Sequence, residues 1–193
     1  MTALPVPPGP LPMTADRYAA LPEDAEARFE LQEGALVMQA RPAPSHQDCL
    51  GELVMQLRQL APPHLKVLPQ VDVDLQLVPP GQPGTVRAPN LVIVTRASFD
   101  RVRAGGDLLR AADVVLAVEI LATGTRRTDS VVKHGEYADA GVGHYWMVDL
   151  LGGPSLTACH LAGEFGYADA GPVTGTFATE VPFPVRVELT ALG

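Results

Sequence analysis

The apolar residues of this chain keep two different periods, and the changes between them mark its elements. Leu50, Leu53, Val54, Leu57 and Leu60 fall on one helical stripe, with Ser45 as the expected N-cap and Pro62-Pro63 as the stop, which predicts a helix from Ser45 to about Leu60. "MTADRYAAL" predicts a shorter helix, capped by Thr14 and ended by Pro22. "RFELQEGALVMQ" reads as a hairpin turning at Gln32-Glu33-Gly34, and alternation sets Glu30 on the face opposite Phe29 and Leu31, where an exposed strand carboxylate is expected. "QVDVDLQLV" alternates strictly, the period of a half-exposed strand, before Pro79-Pro80-Gly81 turns the chain. In "RAPNLVIV" a Pro-Asn pair heads a buried strand.

The segment from Ser98 to Ala112 is Arg-rich, holds Gly105-Gly106, and predicts a loop with a short helix. "DVVLAVEIL", Asp113 to Leu121, is almost wholly apolar and predicts a central strand covered on both faces. A helix from about Thr128 to Ala140 follows, closed by Gly141. "HYWMVD", "SLTACHLA" and the segment from Phe165 onwards predict further strands. The sum is an α+β (mixed α/β) arrangement: a mixed sheet flanked by helices, with an N-terminal hairpin and C-terminal antiparallel strands.

Composition narrows this picture. The 193 residues, 47% hydrophobic, suit one domain over 13–193, preceded by a loose Pro-rich tail over 1–12. No long apolar run and no basic, apolar leader occurs, so the expected location is the cytoplasm. Cys49 and Cys159 lie far apart without metal-ligand spacing and are expected to be reduced, partly buried thiols. A net charge of −8 argues against a broad nucleic-acid footprint and leaves only a local basic patch, for which Arg126, Arg127 and Lys133 are the candidates, with Arg96, Arg101, Arg103 and Arg110 scattered over the preceding segment. Solvated surface arginines are the competing reading.

Two places carry chemistry. Glu119 interrupts the central strand, where a carboxylate costs several kcal/mol unless it is paired, hydrogen-bonded or bound to a metal. It serves either function or a structural ion pair. Asp129, Lys133 and Tyr137, spaced by four, stack on one helix face, either as an ordinary surface pair or as a polar row aimed at Glu119. Lys133 is one of only two lysines in a chain that otherwise uses Arg, which favours a specific ammonium. His46, in the first turn of its helix, reads as a surface residue.

"FELQEGALV", "APSHQ", "PNLVIV", "VEIL" and "TRRTDSVVKHGEYADAGVGHYWMVD" resemble, in order and spacing, a bacterial family of restriction-endonuclease-like proteins within the PD-(D/E)XK nuclease superfamily. The resemblance spans roughly Thr14 to Leu161 and is most specific from Glu119 to Asp149. It implies a restriction-endonuclease-like core and a Mg²⁺- or Mn²⁺-dependent deoxyribonuclease, with Glu119 and position 90 as metal ligands. The lysine of the usual E-x-K pattern falls here on Leu121, and the resemblance implies Lys133 in its place. It also implies Glu30 as an accessory acid, with His46, Asp129 and Tyr137 in support.

The chain departs from that pattern at Asn90, where the family's Pro-Asp supplies a carboxylate. An amide oxygen ligates a hard cation without contributing charge, so metal affinity should fall. Three classes of function follow: a weak or compensated nuclease, an inactive nuclease-fold protein that binds nucleic acid, and a protein-interaction module. A homo-oligomer is compatible with each.

Overall fold

The computed structural model describes residues 11–22, 27–124 and 126–193. Most of the expected tail, residues 1–10, lies outside the described residues. The chain begins with α1 (Ala15–Ala19) and the hairpin β1 (Phe29–Gln32) and β2 (Ala35–Met38), followed by α2 (Pro44–Leu60). Next come β3 (Leu65–Pro69), β4 (Val73–Asp74), β5 (Val86–Arg87), β6 (Leu91–Thr95) and α3 (Arg96–Gly105). β7 (Leu109–Arg110) and the long β8 (Val114–Leu121) lead to a π-helical segment, Thr128–Lys133, which continues as α4 (His134–Asp139). Six strands remain: β9 (His144–Asp149), β10 (Ser155–Leu161), β11 (Tyr167–Asp169), β12 (Val173–Thr174), β13 (Thr176–Thr179) and β14 (Val185–Glu188).

β8 has to be covered on both faces, and its place in the sheet provides that. It lies inside a seven-stranded sheet of order β11-β10-β9-β8-β6-β3, with β12 beside β10, running antiparallel to β6 and parallel to β9. On one face Leu116, Val118 and Ile120 join Leu91, Ile93 and Trp146 against Leu50, Leu53 and Leu57 of α2. On the other, Val92, Val94, Ala117 and Tyr145 pack with Tyr137 and Val142. Each fully buried Leu here is stabilised by about 1.5–3 kcal/mol. Alternation places Glu119 on the second face, beneath the segment that carries Lys133.

A second sheet, β2-β1-β5-β4-β7, lays the hairpin beside that face. Its turn is the two-residue pair Glu33-Gly34, both at positive φ, which suits the twist of tightly joined strands. An added Cβ at Gly34 would come within 2.7 Å of Pro12 Cβ and 2.8 Å of Pro83 Cβ, so only glycine fits.

Four local expectations are corrected. The N-cap of α2 is Ala43 and not Ser45, because Pro44 takes the first helical position, where its missing N–H leaves no bond unmade. The alternating stretch after Gln70 keeps only β4, since Gln70 and Gln76 adopt positive φ and break the extended backbone on both sides. The short helix expected within Ser98 to Ala112 starts earlier, at Arg96, because Thr95 at the end of β6 accepts the Ser98 N–H and caps it, and the rest of the segment holds a loop and β7. The helix expected from Thr128 begins with π geometry, whose wider turn accommodates one extra residue. Asp129 and Lys133 still share a face, at 3.4 Å.

Candidate active site

The register of β6 on β8 pairs Leu91 with Val118, which sets Asn90 opposite Glu119. The Asn90 N–H donates to Glu119 Oε2 (3.2 Å), and the Ile120 N–H donates to Asn90 Oδ1 (2.7 Å). From the helix side, Lys133 Nζ reaches Glu119 Oε1 at 2.8 Å, Glu30 Oε1 at 3.0 Å and Asp129 Oδ1 at 3.4 Å. An ammonium has three donors, and here each faces a carboxylate. The Tyr137 hydroxyl donates to Glu119 Oε1 at 3.2 Å. Two adjacent strands and one helix thus bring Asn90, Glu119, Lys133, Asp129 and Tyr137 to one point.

The hairpin adds the rest. Glu30 Oε1 accepts the Ala88 N–H at 3.0 Å, while Oε2 accepts from Gln39 Nε2 at 3.0 Å and Arg87 Nη1 at 2.9 Å. Arg87 turns its other nitrogens to Glu136, with both bonds at 2.7 Å, in the two-pronged geometry that suits guanidinium to carboxylate. Four carboxylates therefore share two cations. Glu30, Arg87, Glu119, Asp129 and Lys133 are all buried.

The charges are tuned accordingly. Burial pushes the Glu119 carboxyl up, and the pull of Lys133 only partly offsets it, because Asp129 and Glu30 repel its ionised form. Burial acts the same way on Glu30, but Lys133, the Ala88 N–H and Arg87 outweigh it and hold that carboxyl below its ordinary value. Lys133 is held firmly protonated: its own desolvation is overcome by Glu119, Glu30 and Asp129. Burial drives the Tyr137 hydroxyl well up, so it remains a donor.

Two expectations are overturned here. Glu30 is not an exposed strand residue, because β1 is covered on both faces: Leu31 enters a small apolar cluster, while Glu30 meets Lys133 and Arg87. His46 is not on the surface either. Its imidazole is buried beside the Asn90 side chain and the Ile120 backbone, and desolvation lowers its pKa, which favours the neutral ring. Its Nδ1 is buried without a hydrogen-bond partner. Arg126 reaches outward to Asp149 at 2.6 Å, and Arg127 is exposed. Asp72 accepts from the Tyr18 hydroxyl and Asp74 from the Gln76 N–H.

Arg87, Glu136 and Gln39 escaped sequence reasoning. Arg87 did leave a signal, as a charged residue at the head of "RAPN", three positions before Asn90. The buried donors suit a divalent ion in part. Glu119 Oε2 receives a single 3.2 Å bond and Asn90 offers an amide oxygen, two oxygen ligands of the kind a hard cation takes.

The fold has a counterpart among solved structures. A chain of a crystal structure described as a putative nuclease belonging to DUF820, from Anabaena variabilis, superposes with a TM-score of 0.72 at 16% identity, covering 94% of this chain and 97% of that one. No curated protein matches. The model of the Uma2 family, described as "Putative restriction endonuclease", matches residues 15–189. With nearly its whole length matched and its sheets and helices arranged as in that nuclease-like fold, the chain belongs to the Uma2 family of restriction-endonuclease-like proteins.

Proposed function

We propose that this chain hydrolyses phosphodiester bonds of DNA with the help of a divalent cation, at the point where Glu119, Asn90 and Lys133 meet. The observation that carries this reading is Glu119 itself, a buried carboxylate bound at once to the Lys133 ammonium and to the backbone of Asn90 on the neighbouring strand. Glu119 and Asn90 would hold a Mg²⁺ or Mn²⁺ ion, with the His46 imidazole packed beside Asn90. When bound, such an ion polarises the phosphoryl group and lowers the pKa of a water.

The chain's own residues supply the remainder. Lys133 provides the cation that stabilises charge developing on the phosphate oxygens. Glu30 and Asp129 keep it protonated and aimed, and a phosphate reaching Nζ takes the place of one of them. Tyr137 fixes Glu119 through Oε1, which leaves Oε2 towards Asn90. Arg127, exposed ahead of the helix that carries Lys133, is placed to meet the backbone of a nucleic acid, and Arg126 joins it once released from Asp149.

Asn90 weakens the ion's hold, since it brings an oxygen without a charge. Asn90→Asp should therefore bind Mn²⁺ at least about 10-fold more tightly in calorimetric titration, because loss of even an outer-shell partner changes affinity by about 10- to 100-fold. The same variant should nick supercoiled plasmid faster than wild type. Unchanged Mn²⁺ affinity would refute the site. A second reading, nucleic-acid binding without cleavage, is favoured by the engagement of Asn90 Oδ1 with the Ile120 N–H. Wild type that retains DNA in Mn²⁺ without nicking it, while Asn90→Asp cleaves, would select that reading.

A further inference from the structure

One residue beyond Lys133 on the same helix, a different set of side chains converges. His134, the first residue of α4, directs Nε2 to Asp169 Oδ1 at 2.8 Å. Cys159 and Asp169 are directly opposed partners on the antiparallel pair β10 and β11. One ligand atom from each of these three residues lies within 4.8 Å of the others. The donors are an imidazole nitrogen, a sulfur and a carboxylate oxygen, brought together from α4 and the consecutive paired strands β10 and β11.

We propose that His134, Cys159 and Asp169 form a binding site for a zinc-class divalent transition metal, with water as the fourth ligand. The donor chemistry selects the ion: thiolate and imidazole favour Zn²⁺ or Co²⁺ over Mg²⁺, and three protein ligands with one open position suit tetrahedral geometry. Charge is consistent with it, since one thiolate and one carboxylate neutralise a divalent ion. The thiol gives up its proton to solvent as the sulfur–metal bond forms, so one proton is released for each ion bound.

The surroundings fit the assignment. The imidazole stands edge-on to Tyr167, with ring centres 5.2 Å apart, and near Tyr145 at 6.1 Å, which fixes its plane. Cys159 is buried, His134 is half-buried and Asp169 is exposed, so the ion enters from the Asp169 side onto a protected sulfur. His134 directly follows Lys133 in sequence. A metal held there pins the start of α4 to the sheet edge formed by β10 and β11, and with it the backbone that positions the ammonium beneath Glu119.

Titration of the metal-free chain with Co²⁺, in a phosphine reductant, tests this directly. Wild type should develop a thiolate-to-cobalt charge-transfer band in the near ultraviolet and release one proton per ion. Cys159→Ser should abolish the band, while Cys49→Ala, which alters the other buried thiol, should keep it. Asp169→Asn and His134→Gln, at positions more open to solvent, should each weaken Zn²⁺ binding at least about 10-fold. Should Cys159→Ser fail to fold by circular dichroism, these two variants decide the matter. Absence of the band in wild type, a band that follows Cys49, or Zn²⁺ affinity unchanged in Asp169→Asn and His134→Gln would overturn the site.

Discussion

Glu119 lies at the centre of the buried charge cluster, and its environment gives it an unusual dependence on pH. Its carboxyl is pushed up to about 7 by burial, against an ordinary value of 4.5. Between those values the unfolded chain loses this proton while the folded chain keeps it, so Glu119 subtracts stability as pH rises through that window. Glu119→Gln removes the titration, and Lys133 still has Glu30 and Asp129 beside it. The variant should gain on wild type in melting temperature from pH 5 to pH 8, and a constant difference across that range would refute the assignment. Glu30 acts in the opposite sense. Its lowered pKa stabilises the fold above the ordinary 4.5, and that stability is lost as pH falls through the folded value.

At the scale of elements, the hairpin matters as much as the central strand, because β1 delivers Glu30 to Lys133. Its turn rests on Gly34, at φ +82°, packed on Pro12 and Pro83. Gly34→Ala should cost at least about 2 kcal/mol from strain and overlap together. Gly81→Ala, at φ +84° with open space around it, should cost only about 1 kcal/mol. Chemical denaturation of the two variants would measure the gap, and equal costs would show that the turn is not seated as described.

The same elements show what sequence could reveal. β8, the stripe of α2 and the row of Asp129, Lys133 and Tyr137 were legible because a single period specifies each of them. The burial of Glu30 and His46 was not, since a strand's second face and a helix's first turn say nothing about what covers them. The Arg87 to Glu136 pair was hidden for a similar reason: its partners lie 49 residues apart and meet only after both sheets have closed. The proline ahead of Ser45 and the positive φ at Gln70 and Gln76 redirected local patterns that pointed elsewhere.

For the molecule as a whole, the acidic balance sets how a nucleic acid can be met. A surface with net charge −8 repels phosphates at long range, so attraction must come from a few arginines at close range. DNA binding should therefore fall with salt at a shallow slope set by those few contacts, and Arg127→Ala should lower the slope of log affinity against log salt by about one. A slope unchanged in Arg127→Ala would place the nucleic acid elsewhere.

With twelve arginines and two lysines, the chain also carries its own chemical reporter. Lys66 is half-buried, whereas the Lys133 side chain is 6% exposed and its ammonium is held by three carboxylates. An acylating reagent requires a free amine. Lys66 should therefore be modified readily and Lys133 only during excursions that release it from Glu119, Glu30 and Asp129. Peptide mass spectrometry of the acylated protein over time would turn that one side chain into a clock for the opening of the site, readable without any substrate.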